Sequence, residues 1–440
     1  MSKVEQLKFF DGERYPILLD DEGLPDFWVT LFITVIVRPN GGQNTISSYI
    51  SAIRHFLLWE KIKGRNVFSE FRQRKFLAAV DAISLRDFFL LKTEDARKWS
   101  KKAQSTKVRR LIDDFPSAPR TLERVEGSTA RTRYTRMVEY LAFIATSMLR
   151  TRPNVEEINK QITEMKKMLL KDKPKGSRKK STFNPDDKAP PPEIFDAFLN
   201  VVQLDSPDNP YKNKAAKRRN WLMLNLMNST GMRGGEILAM KLDDIPRHAY
   251  VAKVIRRHDD PEDPRHYQPV PKTVERDIPI SRELHSQIRE YIDKERALTP
   301  GADRHPYIFI THRKGDHLGD PLSIRGFIEF LTAAVRKTAE LADTYDEEDL
   351  VKEIRRHGFR HNFNYKLSQR FVENNIKAKT DQEVTHMDEK KQNQVRMYLN
   401  GWVDEKTAQN YNMRFIKEEA DKLMRQDMEE QSAIIRKAKK

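Results

Sequence analysis

The chain has 440 residues, enough for two or three domains, each with its own core. It contains no cysteine, which excludes a disulfide framework, a cysteine nucleophile and thiolate metal sites, and it fits a reducing cytosol. Charged residues make up 33% and the formal net charge is +16, a surface that attracts polyanions; nucleic acid leads and an anionic membrane is the weaker alternative. No basic amphipathic helix with an aromatic apolar face is evident. No apolar run reaches the ~18 residues of a membrane span, and the opening MSKVEQLKFFDGERYP lacks the apolar region of a signal peptide.

In chain order, residues 1–24 read as an irregular arm. From Asp26 the pattern turns helical, and in NTISSYISAIRHFLLWEKIKG the residues Ile46, Tyr49, Ile50, Ile53, Phe56 and Leu57 recur at helical spacing, with Asn44 or Thr45 as the cap. RKWSKKAQSTKVRR (Arg97 to Arg110) is a basic loop or helix. GSTARTRYTRMVEYLAFIATSML predicts a helix with Arg131, Arg133 and Arg136 in its first half and Leu141, Phe143, Ile144 and Met148 in its second. Such a helix is anchored in a core at one end and presents cations at the other. These elements make a helical domain over 25–170. Residues 171–190 are a basic, proline-rich linker whose charge suits a path along a polyanion. A second domain over 191–415 opens with PEIFDAFLNVV as a helix. Within it WLMLNLM (Trp221 to Met227) reads as a buried helix, and YVAKVIRR, VERDIPI and YIFITH read as short strands. Residues 416–440 form a tail helix with an incomplete apolar stripe of Ile416, Ala420, Leu423, Met424, Met428, Ile434 and Ile435. The expected class is mostly α with a small antiparallel β-sheet.

NSTGMRGGEILAM (Asn228 to Met240) resists that scheme. Gly231 suits a helix C-cap, but Arg233 stands at the start of the next helix, where the macrodipole disfavours a cation. Gly234 and Gly235 follow, each costing about 1 kcal/mol of helix propensity relative to alanine. Further on, RRHGFRHNFNYKLSQRF holds His357 and Arg360 in an H-x-x-R spacing, and YLNGWVDEKTAQNYNMRF puts Trp402 nine residues before Tyr411. Each piece alone is weak.

Taken in order, T-G-x-R-x-x-E (Thr230 to Glu236), a hairpin lysine, H-x-x-R, and G-W followed by tyrosine resemble the tyrosine recombinase (phage-integrase) family. The resemblance runs from Pro191 to about Phe415, and NTISSYISAIRHFLLW is more loosely similar to the family's core-binding domain. It implies two domains clamping double-stranded DNA, a helical core-binding domain and a catalytic one. Arg233 and Arg360 would neutralise the charge that builds on a phosphodiester's non-bridging oxygens, since the planar guanidinium fork donates two parallel hydrogen bonds. Gly234 and Gly235 would let backbones approach, and Glu236 would orient its neighbours. Tyr411 would be the nucleophile; a phenol with a pKa near 10 needs an acceptor and a positive field, and His357 is the base or a phosphate-positioning group. Trp402, where many members have histidine, can only donate its indole N–H. His361 reads as structural. A hairpin lysine protonates the leaving 5′-oxygen in the family, and VPKTVERDIPIS places Lys272 there, with Lys253 as competitor.

Asp259, Asp260, Glu262 and Asp263, with His258 and His266, read as a proline-interrupted loop rather than a metal site. The implied activity is site-specific recombination through a 3′-phosphotyrosine intermediate without metal, ATP or other cofactor, integrating or excising a mobile element. The implied partners are recombination-site DNA, three further copies of the chain in a homo-tetramer, and accessory or partner recombinase proteins, in a cytoplasmic, nucleoid-associated setting. A type IB topoisomerase and a catalytically silent DNA-binding regulator are the rivals. Residues 1–24 are too short for a separate arm-binding domain, and the tail helix would pass between protomers.

Overall fold

The computed structural model describes residues 3–103, 122–176 and 189–438. The second half of RKWSKKAQSTKVRR and the Arg178, Lys179, Lys180 part of the linker lie outside the described residues. The chain divides into two compact units, Met1–Ser181 and Thr182–Lys440.

The first unit opens with an antiparallel hairpin of β1 (Lys3–Lys8) and β2 (Arg14–Leu19), in register Lys3↔Leu19 through Lys8↔Arg14. An irregular arm was the expectation; the chain instead turns at Gly12 (φ 90°) and buries Tyr15, Ile17 and Leu18 in the unit's core. The strand signal is masked in the sequence because Lys3, Glu5 and Lys8 fill β1 and Pro16 interrupts β2. Pro16 is tolerated where only one ladder partner, Gln6, must be met. The helices α1 (Phe27–Phe32), α2 (Gln43–Lys63), α3 (Val67–Arg72), α4 (Ala79–Phe89), α5 (Thr93–Ala103), α6 (Gly127–Leu149) and α7 (Val155–Lys171) follow.

Helix α2 starts one or two residues earlier than its expected cap, with Gly42 as N-cap. Its stripe Ile46, Ile50, Ile53, Phe56 and Trp59 packs with Tyr134, Met137, Val138, Leu141 and Ile144 of α6 in one core. Trp59 Nε1 donates to Ser84 Oγ at 3.1 Å, and His55 Nε2 bonds the Phe88 carbonyl at 3.1 Å. Burial, partly offset by that bond, lowers His55 to a pKa of about 4, so it sits neutral among Phe88 and Phe89.

The second unit contains α8 (Pro192–Val201), α9 (Lys214–Thr230), α10 (Gly234–Leu238), β3 (Val251–Val254), β4 (Arg276–Pro279), α11 (Arg282–Tyr291), α12 (Ile324–Ala339), α13 (Tyr345–Lys352), α14 (Gly358–Lys377), α15 (Glu389–Asn400) and α16 (Glu405–Ala438). WLMLNLM is the buried face of α9: Leu222, Met223, Leu224, Leu226 and Met227 are all fully covered. β3 and β4 pair antiparallel from Val251↔Pro279 to Val254↔Arg276. YIFITH is not a strand. Tyr307 to Ile310 is buried, but Ile308 N–H donates to Met240 O at 3.0 Å while the Phe309 carbonyl accepts from Leu322 at 2.8 Å. The segment thus bridges two partners one residue at a time, which leaves isolated bridges in place of a ladder. The fold is mostly α with two small antiparallel sheets.

Candidate active site

Helix α9 ends where Gly231 takes the left-handed conformation (φ 64°), and a Cβ there would lie 2.5 Å from Phe363 Cδ1 on α14. The turn delivers Arg233 as the extended N-cap of α10. Glu236, at the third helical position, accepts from the Arg233 N–H at 3.0 Å, the reciprocal half of a capping box. Its other oxygen stands 3.5 Å from Arg233 Nη1. The two glycines differ in role: a Cβ on Gly234 would press on Phe327 at 3.1 Å, whereas Gly235 faces open space. Close packing inside the unit therefore accounts for Gly234.

Glu236 is the buried hub of this corner. Its carboxylate accepts from Arg276 Nη2 at 3.0 Å and from Thr273 Oγ1 at 2.5 Å. Burial pushes the carboxyl up, but Arg276, Thr273, Arg360 and the Arg233 N–H outweigh it and hold the group below its ordinary pKa. Arg276 also donates Nε to Leu399 O at 2.9 Å, which ties β4 to the end of α15. That helix stops at Gly401, whose left-handed turn (φ 63°) leaves no room for a Cβ: Arg276 Nη1 would be 2.6 Å away and Val274 O 3.0 Å. The next residue is Trp402.

Arg360 is 1% exposed on the first turn of α14. It donates Nη1 to Gly231 O at 3.0 Å and Nη2 to Asn400 O, and its Cζ lies 5.1 Å from the Trp402 ring centroid. One guanidinium thus binds the α9 cap, the α15 end and the indole. Burial, then Arg233, lowers Arg360 to about 9, so it remains cationic at neutral pH. Tyr411 projects from α16, only 8% exposed, between Trp402 (centroids 4.6 Å) and His361 (4.2 Å, interplanar 21°). Its hydroxyl is 2.7 Å from His357 Nε2. Burial raises the phenol's pKa, and the Arg360 and Arg233 charges pull against that rise.

Three buried donors at this corner have no hydrogen-bond partner among the described residues: Arg233 Nη1, Arg360 Nε and Trp402 Nε1. Unpaired buried N–H groups are costly and uncommon, so their presence together marks a place for an oxygen-rich anion beside the Tyr411 hydroxyl. The structure therefore brings Arg233, His357, Arg360, Trp402 and Tyr411 into one site. Lys272 is treated differently. It is exposed in the segment between β3 and β4, while its neighbours are fixed to the site: Thr273 on Glu236, and Val274 N–H on Gly401 O at 3.2 Å. Lys253 sits within β3, half-buried and in register with Asp277.

The long insertion before Lys272 is pinned to the core. Asp260 accepts from Tyr307 at 2.8 Å and pairs with Lys241 at 2.6 Å. Asp263 pairs with Arg265 at 2.8 Å, and Arg265 caps the Leu238 and Leu322 carbonyls. Asp260, Glu262 and Asp263 of this loop are thus committed to cations and a phenol of the same unit. Sequence reasoning missed the hub role of Arg276 and Thr273, and the stacking of His361 on Tyr411. An acid set directly before the apolar Ile237 and Leu238 demands a counter-ion once it is buried, which was the available signal for Arg276.

Residues 203–379 match the phage integrase family. This segment, under half of the chain, is similar to phage integrases. The match contains Arg233, Lys272, His357 and Arg360, and it ends before Trp402 and Tyr411, which the geometry alone joins to them. No curated protein sequence matches. Among solved structures, XerA recombinase is similar at 11% identity and TM-score 0.32, covering 87% of this chain and 92% of its own. The integrase of transposon Tn1549, in complex with circular intermediate DNA, is similar at 14% identity and TM-score 0.37, covering 76% and 95%. XerH recombinase bound to its palindromic difH substrate is similar at 15% identity and TM-score 0.37, covering 82% and 95%. These likenesses are loose and carry no weight beside the integrase match. Among the described residues no helix is long and apolar enough to cross a membrane.

Proposed function

We propose that this chain is a site-specific tyrosine recombinase, and that its mobile element is integrated or excised by it. The observation that carries the reading is the trio of unpartnered buried donors around a histidine-bonded tyrosine. The scissile phosphate of duplex DNA docks with its non-bridging oxygens on Arg233, Arg360 and the Trp402 indole. The Tyr411 oxygen attacks phosphorus as its proton passes to His357. The bond to the 5′-oxygen breaks, and Lys272 supplies the proton that this oxygen needs to leave as a hydroxyl. The product is a 3′-phosphotyrosine link and a free 5′-hydroxyl. Attack by the 5′-hydroxyl of a partner strand reverses these transfers, so the bond energy is retained and the strand is exchanged.

Two such exchanges on two DNA sites require four protomers, hence a homo-tetramer on DNA. Residues 25–170 supply a helical core-binding domain and 191–415 the catalytic domain. The tail supports assembly: Ile416, Leu423, Met424 and Met428 are each more than half exposed along α16, the last three beyond the docked Tyr365–Glu418 pair.

The test is a nicked suicide substrate carrying the element's junction, run on a denaturing gel. Wild type is expected to trap a covalent complex; Tyr411→Phe is expected to bind the same DNA and trap none. Relaxation of supercoiled plasmid by a monomer without strand exchange would move the assignment to a type IB topoisomerase. DNA binding with no adduct from wild type would leave a silent regulator.

A further inference from the structure

Helix α11 carries Arg282, His285, Ser286 and Arg289 at i, i+3, i+4 and i+7, a single helical face. The turn that leads into β3 lays Arg247 and Tyr250 against this face, and together the six side chains line a cavity of about 310 Å³. The turn is held firmly. His285, 5% exposed, bonds the Pro246 carbonyl through Nε2 at 2.7 Å, the Tyr250 ring meets His285 edge-on at 5.2 Å, and Ile280 N–H donates to Tyr250 O at 2.9 Å. The cavity lies beside the Val251↔Pro279 end of the β3–β4 ladder, while the segment bearing Lys272 leaves from the opposite end, Val254↔Arg276.

We infer that this cavity is a second phosphate-binding site, separate from the one at Tyr411. Three guanidinium groups converge there, and the carboxylate that answers them is Asp293, 3.1 Å from Arg247 Nη2 and 3.4 Å from Arg289 Nη2. Arg282 makes no ion pair among the described residues, and Arg289 Nε is buried without a hydrogen-bond partner. Uncompensated guanidinium charge with an orphaned N–H is what a tetrahedral oxyanion relieves, by forked donation from two arginines. The exposed hydroxyls of Tyr250 and Ser286 add donors at the rim. The phosphate belongs either to the backbone of a duplex running past the unit's far side or to a free phosphate-bearing molecule.

The experiment uses the full-length protein and two probes. In the first arm, inorganic phosphate is titrated against chloride at constant ionic strength by calorimetry and thermal melting. Wild type is expected to bind phosphate saturably. Arg282→Gln, a change at an exposed side chain, is expected to weaken it at least tenfold, and Arg336→Gln, which is 78% exposed outside the cavity, to leave it unchanged. In the second arm, the salt dependence of binding to duplex of arbitrary sequence is measured. If the phosphate is DNA backbone, Arg282→Gln lowers the log–log slope by about 0.9, as for one lost contact, and Arg336→Gln does not. An unchanged slope with the phosphate effect intact assigns a free phosphate ligand. If wild type prefers phosphate no more than chloride and the slope does not move in either Arg282→Gln or Arg289→Gln, the inference is overturned. Neither arm needs Tyr411 to cut DNA, so this site and the recombinase reading fail independently.

Discussion

Glu236 and Arg276 form a buried ion pair at 3.0 Å, both side chains 1% exposed, at the point where α10, β4 and the end of α15 meet. Removing one member strands the other's charge in a low-dielectric corner, which costs about 3–5 kcal/mol. Glu236→Ala loses in addition the bonds from Thr273 and the Arg233 N–H. Against a whole-domain stability of about 5–15 kcal/mol, this is enough to leave the unit close to unfolding at 37 °C. Glu236→Gln discharges the pair and keeps a single acceptor oxygen, for either Thr273 or the Arg233 N–H but not both, and should fall between wild type and alanine. The double variant Glu236→Leu/Arg276→Met removes both charges, so it should be less destabilised than Glu236→Ala. Urea unfolding of the full chain, followed by tryptophan fluorescence, gives all four values. Because Glu236 titrates below its ordinary range, its contribution is present at neutral pH and disappears as pH falls through the lowered value. Glu236→Gln should lack that part of the acid loss. If Glu236→Ala costs under about 1 kcal/mol, or if the double variant is destabilised as much as Glu236→Ala, the hub does not hold the site together.

Other outcomes follow from separate features. Glu60 is raised to about 7 by burial, which outweighs the bond it accepts from Val67 N–H, so stability of the first unit should decline as pH rises from about 4.5 to 7. Glu60→Gln should remove that slope and gain about 3 kcal/mol at pH 8, measured by pH-dependent denaturation. Lys272→Ala should slow cleavage by stranding the leaving 5′-oxygen, and a bridging 5′-sulfur should restore much of the rate; rescue confined to Lys253→Ala would move the acid to β3. Deleting residues 419–440 should leave single-site binding nearly intact and reduce tetramers in sedimentation of DNA complexes; equal tetramer yields would show that the tail is not the coupling element.

Much of the fold was legible because its long helices carry strong periodicity: the stripes of α2, α6 and α9 are buried as their spacing implies. The candidate site was legible because its residue types are constrained, since a phosphate clamp calls for guanidinium and an aromatic hydroxyl calls for an acceptor. What the sequence hid depends on tertiary partners. The hairpin of residues 3–19 is specified by burial of Tyr15, Ile17 and Leu18 against helices far along the chain, so its charged outer strand resembles a loop. Tyr307 to Ile310 has strand composition but meets a different neighbour at each end. Thr273, Arg276 and Gly401 matter through one another, and neither spacing nor propensity reveals a three-way contact.

The proposed mechanism links Tyr411 covalently to a DNA 3′-phosphate. The most direct measurement is mass spectrometry of the protease-digested covalent complex, trapped on a nicked junction substrate and sequenced to the modified residue. A peptide bearing a 3′-phosphonucleotide on Tyr411, with a free 5′-hydroxyl on the released strand, is the result expected. Linkage through Tyr398, whose hydroxyl instead lies 3.2 Å from Asp277 O and whose side chain is exposed, or through a 5′-phosphate, would contradict it.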